Sequence, residues 1–376
     1  MIIRNIYSKI AIWIFIISVL LSGVVWEMIS WAALIWIYFL HKDNEKFRIR
    51  KNRIGMIVLL LMVFVYVVYQ CIALNLSIPS IIRLYGITKT LFAIPILILM
   101  CDRYIKSENV ILDAFVLIII LNWITIVSMM MNIESLNILG GSRNYLGAIN
   151  VILFPYVFKF MKQREVRWLR RVFIMTFILL VLFTGSRTLM LTAAISFFSI
   201  IILEKNINKK LRCLAMLIMV VIVGIFALNS FGNISLLSRG VSVFFDRSDA
   251  ARTGLKYFAE HQYEEYSSLQ KLIGNGDTIV QSQLKPVHNV FGEVLLCYGK
   301  IGLIFWGMYL IAWTIAILKG KTANRAYIFL IFGLVMIIGW VQPFLTSGYL
   351  FQIMVAFVSM QLYHSPEPDF FENKEG

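Results

Sequence analysis

The sequence predicts an all-α polytopic membrane protein of about 12 transmembrane helices, with residues 1–376 forming a single integral membrane domain. The first observation is composition: 60% of the residues are hydrophobic and the mean hydropathy is +0.82, against about 45–50% apolar residues in an ordinary globular domain. The second is that these residues form long blocks of the length that crosses a bilayer. The third is that basic residues concentrate in alternate links between the blocks.

The N-terminal apolar block, residues 6–40, is too long for one crossing of about 20 residues, so we expect a hairpin of two helices. No small-x-small cleavage site follows its first part, which is therefore interpreted as a retained helix rather than a removed signal sequence. Polar or basic links separate the next seven apolar blocks, at about residues 54–74, 86–101, 110–131, 145–158, 172–184, 188–203 and 213–231.

One long polar segment, residues 232–287, is inserted between the ninth and tenth spans. It carries six basic and six acidic residues and is therefore not a polybasic patch. Residues at three- and four-residue steps predict one or two amphipathic helices that lie on the membrane or cap a cavity: Leu255, Phe258, Gln262, Tyr266, Leu269 and Ile273. Gly274-Asn275-Gly276-Asp277 predicts a tight turn after them. The last three spans lie within 288–318, 326–341 and 344–363.

The distribution of positive charge predicts the orientation. With the N-terminus in the cytoplasm, the inner segments carry 24 of the 35 Lys and Arg residues, as the positive-inside rule requires. Both termini are then cytoplasmic, and residues 232–287 lie outside. The net charge of +15 is therefore a cytoplasmic anchor, which argues against nucleic acid as a partner.

The sequence contains no pattern typical of a metal or nucleotide site. The four cysteines lie in or at the edge of apolar blocks without the spacing of metal ligands, and are interpreted as packing residues. No phosphate-binding loop of the G-x-x-x-x-G-K-[ST] type occurs. Any group donor must therefore already be activated on the outer side, which in a membrane suggests a sugar on a lipid diphosphate.

Basic residues at the outer ends of the predicted spans indicate an anionic ligand. Charged residues near membrane depth are costly and usually face a cavity or a partner, and the guanidinium fork matches phosphate oxygens in two-point contact. The candidates are Arg143, Arg187, Arg252 and Arg247. The plainer alternatives are that Arg143 reaches lipid headgroups, that Arg247 and Arg252 are surface charges, and that Glu27 is a solvated loop residue.

The segment around His288 predicts a general base. Pro286 suits the first turn of a helix, which places His288 in that turn and Gly292, Gly299 and Gly302 in a stripe that admits a neighbouring helix or a lipid chain. The positive end of the helix dipole would keep the imidazole neutral and able to accept a proton. The alternative is ordinary helix packing with a cap-like histidine.

His288-Asn289, nine residues and then Gly299-Lys300-Ile301-Gly302 resemble the signature of the bacterial O-antigen polymerase and ligase family. Gly141-Ser142-Arg143-Asn144 and Thr184-Gly185-Ser186-Arg187-Thr188 resemble two other landmarks of this family. Arg252 resembles the arginine that begins the helix of its long outer loop. The resemblance spans about residues 140–305, and the hydropathy outline of the rest is similar.

This resemblance implies a metal-independent glycosyltransferase with a GT-C-like fold and no cofactor, acting at the outer face of the bacterial plasma membrane. Its donor would be an undecaprenyl-diphosphate-linked oligosaccharide, and its partners membrane lipids, a flippase and a chain-length regulator. Arg187 and Arg252 would hold the diphosphate, with Arg143, Arg247, Asn289 and Glu27 as further substrate contacts. His288 would deprotonate the acceptor hydroxyl; Glu27 as the base, with His288 only positioning, is the other assignment.

Three functions remain open at this stage. We predict a polymerase of O-antigen or capsule repeat units. A ligase of the same family, which transfers finished glycan to a lipid or protein acceptor, differs only in the acceptor, and the arginine–ten-residue–glycine pattern of some polymerases is not met at any of the candidate arginines. A flippase or other transporter of the same lipid-linked sugars is the third, although the sequence shows no repeated halves.

Overall fold

The computed structural model describes residues 2–20, 24–41, 51–93, 108–130, 143–160, 167–184, 186–204, 208, 250–277, 279–282, 284–287, 289–319 and 325–341. Most of these residues are helical, which confirms the predicted helical class. Two of the described helices, Ile54–Ala73 and Val290–Ile315, are long and apolar enough to cross a membrane.

The described part of the chain forms twelve α-helices, one π-helix (Lys89–Ala93) that continues the fourth of them, and one short two-stranded hairpin. The first six helices are α1 (Ile2–Leu20), α2 (Val24–His41), α3 (Lys51–Ala73), α4 (Ile78–Thr88), α5 (Glu108–Met130) and α6 (Arg143–Phe160). The remaining helices are α7 (Arg167–Thr184), α8 (Arg187–Leu203), α9 (Ala250–Glu264), α10 (Ser268–Ile273), α11 (Val290–Lys319) and α12 (Arg325–Val341). The strands β1 (Ile279–Val280) and β2 (Lys285–Pro286) pair antiparallel between α10 and α11.

The helix bounds follow the apolar blocks closely. The N-terminal block is a hairpin in which α1 packs against α2, and α3, α5, α6, α7, α8, α11 and α12 each overlap a predicted span. The polar link expected after the third span is instead largely helical. Pro79 is compatible with this helix because it stands in the first turn of α4, where its missing N–H costs nothing. The spans expected at 213–231 and 344–363 lie outside the described residues.

Buried polar residues join three helices in the interior. Asn122 of α5 and Asn150 of α6 donate to each other's side-chain carbonyl, over 2.8 and 2.9 Å. Asn122 also lies 3.4 Å from the hydroxyl of Thr176 on α7, and all three side chains are fully buried. Small polar side chains of this kind hold neighbouring helices together where there is no water.

The helices predicted within residues 232–287 are present as α9 and α10. Leu255 and Ala259 of α9 and Ile273 of α10 are buried, while Tyr257 is 63% exposed, as expected for helices with one apolar face. Leu269, which the period also assigned to the apolar face, is 42% exposed instead. Ser267 begins α10 with a capping box, in which its hydroxyl accepts from the Gln270 N–H and the Gln270 side chain accepts from the Ser267 N–H. Both α9 and α10 pack against α11.

The helix α12 connects the two halves of the described bundle. It packs against α6 and α8 on one side and against α11 on another. The helix α11 also packs against α3 and α10. It therefore lies among elements from the N-terminal, middle and C-terminal parts of the chain.

Candidate functional site

The helix that follows the histidine begins later than the sequence predicted. Pro286 lies in β2, paired with Ile279, and α11 begins at Val290. The expectation that Pro286 and His288 form the first turn is therefore wrong. The carbonyl oxygen of the Asn289 side chain accepts from the backbone N–H groups of Phe291 and Gly292, over 2.9 and 3.2 Å. Asn289 is therefore the N-cap of α11. An asparagine at this position satisfies N–H groups that have no partner within the helix, which a proline cannot do.

The expected continuous glycine stripe is interrupted at Gly299, so that prediction is also wrong. Gly299 has φ 66°, outside the helical region, and α11 is kinked there. A Cβ atom at Gly299 would overlap the backbone of Leu272 and Gly274, and one at Gly274 (φ 78°) would overlap the backbone of Cys297. The glycines therefore admit the turn after α10 into direct backbone contact with the kink.

The second glycine of the G-x-x-G pair makes room for an aromatic ring of the same helix. A Cβ atom at Gly302 would overlap the side chain of Tyr298, which is 2% exposed. The Tyr298 hydroxyl lies 2.8 Å from that of Thr88 at the end of α4. Gly299 and Gly302 thus hold a loop and a ring of this chain, rather than a partner helix.

Two residues of α3 bind backbone carbonyl groups just before the kink of α11 and at the end of α10. The Gln70 side chain donates one N–H to the Cys297 carbonyl, over 2.6 Å, and the other to the Ile273 carbonyl, over 2.7 Å. The Tyr66 hydroxyl lies 2.7 Å from the Tyr298 carbonyl and 3.1 Å from that of Ile273. Freed carbonyls at a kink need such partners, because a buried carbonyl without one costs about 1–3 kcal/mol.

The turn after α10 is tied to the same place by its own backbone. Asn275 and Gly276 donate to the carbonyls of Leu296 and Cys297, over 2.9 and 3.0 Å. The Asn275 side chain accepts from the Asp277 N–H at 2.9 Å, which confirms the predicted tight turn as an Asx turn. Asp277 also forms a 2.9 Å ion pair with Arg83, whose exposure makes it weak.

A cavity of about 460 Å³ lies between α9, the start of α11 and the end of α12. Its lining is mostly apolar and includes a ring contact between Phe291 and Trp340, whose centroids are 5.2 Å apart. Its charged and amide side chains are Lys256 and Glu260, one turn apart on α9, and Asn289, which directly precedes α11. The cavity can therefore hold an apolar ligand with a polar end.

A tyrosine closes part of the α9 side of this cavity. Tyr263 borders the cavity, and its hydroxyl donates to the Lys271 carbonyl over 3.3 Å. Burial raises the pKa of the Tyr263 phenol. Its hydroxyl therefore serves as a neutral donor within α9 and α10 rather than as a charged group in the cavity.

The structure describes the backbone around the other predicted site residues. Arg143 and Arg187 are the first residues of α6 and α8, Arg252 lies in the first turn of α9, and Glu27 lies in α2; their side chains lie outside the described part. His288 and Arg247 also lie outside it. The meeting of these side chains at one site stays a prediction.

Some of these positions nevertheless lie close to the cavity along the chain. Lys256, which lines the cavity, follows Arg252 by one helical turn. Val287 and Asn289, which also line it, stand on either side of His288 in the chain. The helices that Arg143 and Arg187 begin pack against α12, whose Trp340 forms another wall of the cavity.

Sequence reasoning missed Glu293, which lies in the first turn of α11. Its side chain is fully buried, and neither carboxylate oxygen has a hydrogen-bond partner among the described residues. An acidic residue inside an otherwise apolar block was the signal, since such residues are expensive in a membrane and are usually functional. Gln70 was missed as well, and its signal was of the same kind: it is a polar residue in an apolar span.

Comparison with known proteins does not identify the chain. No family model matches it. No curated protein matches it significantly. The functional assignment therefore depends on the residues and the geometry described above.

Proposed function

We propose that the protein is a polymerase of surface polysaccharide, of the O-antigen or capsule kind, at the outer face of the bacterial plasma membrane. It would transfer glycan from undecaprenyl diphosphate to an acceptor sugar hydroxyl. The observation that carries the proposal is the cavity bordered by the chain neighbours of His288 and by Lys256, one turn after Arg252. The cavity is apolar, and its basic lining residue, Lys256, stands at the edge with Glu260 3.7 Å away. An apolar cavity with a cation at its edge suits a prenyl chain that ends in a diphosphate.

The proposed setting is a multi-pass membrane protein of about 12 spans with a GT-C-like fold and both termini in the cytoplasm. The two long apolar helices support membrane insertion. The contacts among α3, α10 and the start of α11 support the proposed topology. In the predicted orientation, the end of the third span, the long polar segment and the start of the tenth span all lie on the same side of the membrane.

In the proposed reaction, Arg187 and Arg252 bind the diphosphate, with Arg143 and Arg247 assisting. His288 removes the proton from the acceptor hydroxyl, whose oxygen attacks the anomeric carbon of the donor. The bond from that carbon to the diphosphate oxygen breaks, and undecaprenyl diphosphate leaves with the electron pair. The arginines stabilise the negative charge on this leaving group. Glu27 as the base, with His288 positioning the acceptor, is the second assignment.

The test is product analysis with purified protein in detergent and a defined undecaprenyl-diphosphate oligosaccharide. We expect a ladder of longer glycans from the wild-type protein and none from Arg187→Ala or His288→Ala. Matched controls are Arg167→Ala and Lys285→Ala, which remove exposed basic side chains and should leave the ladder intact. Retention of long chains in both site variants would overturn the assignment.

The same assay separates the alternatives. A ligase of the same family would attach the donor glycan to a lipid or protein acceptor without extending it, and it would restore a strain that lacks its ligase. The ligase stays the second candidate because the candidate arginines do not match the arginine–ten-residue–glycine pattern of some polymerases. A flippase needs two compartments, so elongation in detergent would exclude transport as the sole activity.

A further inference from the structure

Gln70 makes an unusual pair of contacts for a residue in the last turn of an apolar helix. Its side chain is fully buried in α3, and it donates its two N–H groups to two different segments: the Ile273 carbonyl at the end of α10 and the Cys297 carbonyl in the first half of α11. Its own side-chain oxygen has no partner among the described residues. The amide therefore serves as a double donor, at the cost of an unsatisfied acceptor.

The two segments that Gln70 joins belong to different parts of the proposed site. The first continues back through α10 to α9, which carries Arg252 and the cavity residue Lys256. The second is the part of α11 before the kink, which begins one residue after His288-Asn289. A change at Gln70 would therefore reach both segments at once.

The kink makes the position of this part of α11 dependent on outside support. Helical hydrogen bonds are interrupted at Gly299, so the preceding nine residues are held by the turn after α10 and by α3 rather than by the rest of the helix. Tyr66 adds a contact one turn before Gln70, at the carbonyls of Ile273 and Tyr298. Together Tyr66 and Gln70 fix the two segments relative to α3.

We propose that Gln70 is a positioning residue that sets the distance between the Arg252 segment and the His288 segment. This inference rests on the proposed function. Gln70 touches neither substrate nor reacting atoms; it acts through the carbonyls of Ile273 and Cys297. Misplacing reacting groups by about 1 Å can lower turnover by about 100-fold, so its loss should reduce kcat while binding of the donor, and hence KM, changes little.

The experiment uses three variants of the full chain. Gln70→Met keeps the length of the side chain and removes both donors, and Tyr66→Phe removes one hydroxyl and is the milder change. Asn122→Leu is the matched control, because it removes a fully buried amide with two partners from the interior between α5, α6 and α7. For each, kcat and KM for glycan elongation are measured beside thermal unfolding.

Hydrogen exchange of the same samples gives a readout that needs no activity. The expected result for Gln70→Met is exchange at least about 10-fold faster both in residues 274–277 and in the first turns of α11, where the amides of Asn275 and Gly276 meet Leu296 and Cys297. Tyr66→Phe should show the same pattern more weakly. Asn122→Leu should leave both regions unchanged.

The outcomes separate the two proposals. A kcat about 10- to 100-fold lower with KM within about threefold in Gln70→Met, and normal kcat per folded Asn122→Leu protein, would support a positioning role. Unchanged kcat in the folded Gln70→Met protein, or faster exchange in only one of the two segments, would overturn it. A wild-type protein that does not elongate glycan would instead remove the proposed function, and the positioning role of Gln70 with it, whatever the exchange data show.

Discussion

Gly274 and Gly299 lie backbone against backbone, both with positive φ angles of 78° and 66°. The contact allows the turn after α10 to insert at the kink of α11, where it donates two backbone hydrogen bonds. No side chain fits between the two residues without displacing backbone on the other side. Gly299, the first glycine of the G-x-x-G pair, therefore shapes the proposed site by admitting another part of the same chain.

Gly299→Ala should destabilise the protein more than an ordinary glycine substitution in a helix. The new Cβ overlaps backbone and the left-handed conformation is strained for alanine, so we expect a loss of more than about 2 kcal/mol. Gly307→Ala is the control in the same helix, since a Cβ there meets nothing within 4 Å and alanine favours the helix. Thermal unfolding in detergent measures both; equal stability of the two variants would contradict the account of the kink.

Asn289 allows helix capping and substrate contact to be separated. Asn289→Ala removes the cap and should cost about 1 kcal/mol, whereas Asn289→Asp retains a capping oxygen and should keep the stability. If Asn289 also binds substrate through its amide N–H groups, Asn289→Asp should lose elongation activity despite its stable fold. Full activity of Asn289→Asp would mean that Asn289 caps the helix and does not bind substrate through its amide N–H groups.

Glu293 should lower stability in its present environment. An uncompensated buried carboxyl is unfavourable compared with an apolar residue of similar size, so Glu293→Met should raise the thermal unfolding midpoint. Glu260→Met, at an exposed position, should not raise it. A lower midpoint for Glu293→Met would mean that the carboxyl has a partner outside the described residues, and a simultaneous loss of activity would identify that partner as part of the site.

The reciprocal amide pair in the interior should show strong coupling. Asn122→Leu leaves the Asn150 side chain with lost hydrogen bonds and should cost about 1–3 kcal/mol. Replacing both residues by leucine removes the unsatisfied groups together, so the double variant should be more stable than the sum of the single changes predicts. Additive losses in thermal unfolding would argue that the two amides do not depend on each other.

The features that sequence reasoning predicted best are those set by local pattern. The apolar blocks gave the helices, the three- and four-residue period gave α9 and α10, and the glycine and asparagine residues gave the turn at 274–277. These follow from burial and backbone preferences of neighbouring residues.

The features that were missed depend on contacts between distant parts of the chain. Gly299 is spaced as if the helix continued, and only the turn at Gly274 shows why it does not. Gln70 meets Ile273 and Cys297 across about 200 residues of sequence, a pairing that no local pattern encodes. Two local rules predict different starts for α11: a proline in the first turn, or an asparagine as the N-cap. The helix begins after the asparagine.

The central claim is that Arg187, Arg252 and His288 enclose one site for a lipid diphosphate. Its most direct test is a structure of the purified protein with an undecaprenyl-diphosphate oligosaccharide bound. The account predicts the diphosphate at the polar end of the cavity beside Lys256 and Asn289, with both guanidinium groups within hydrogen-bond distance of its oxygens and the imidazole facing the anomeric carbon. A donor bound elsewhere, with Arg187 and Arg252 directed away from His288, would contradict it.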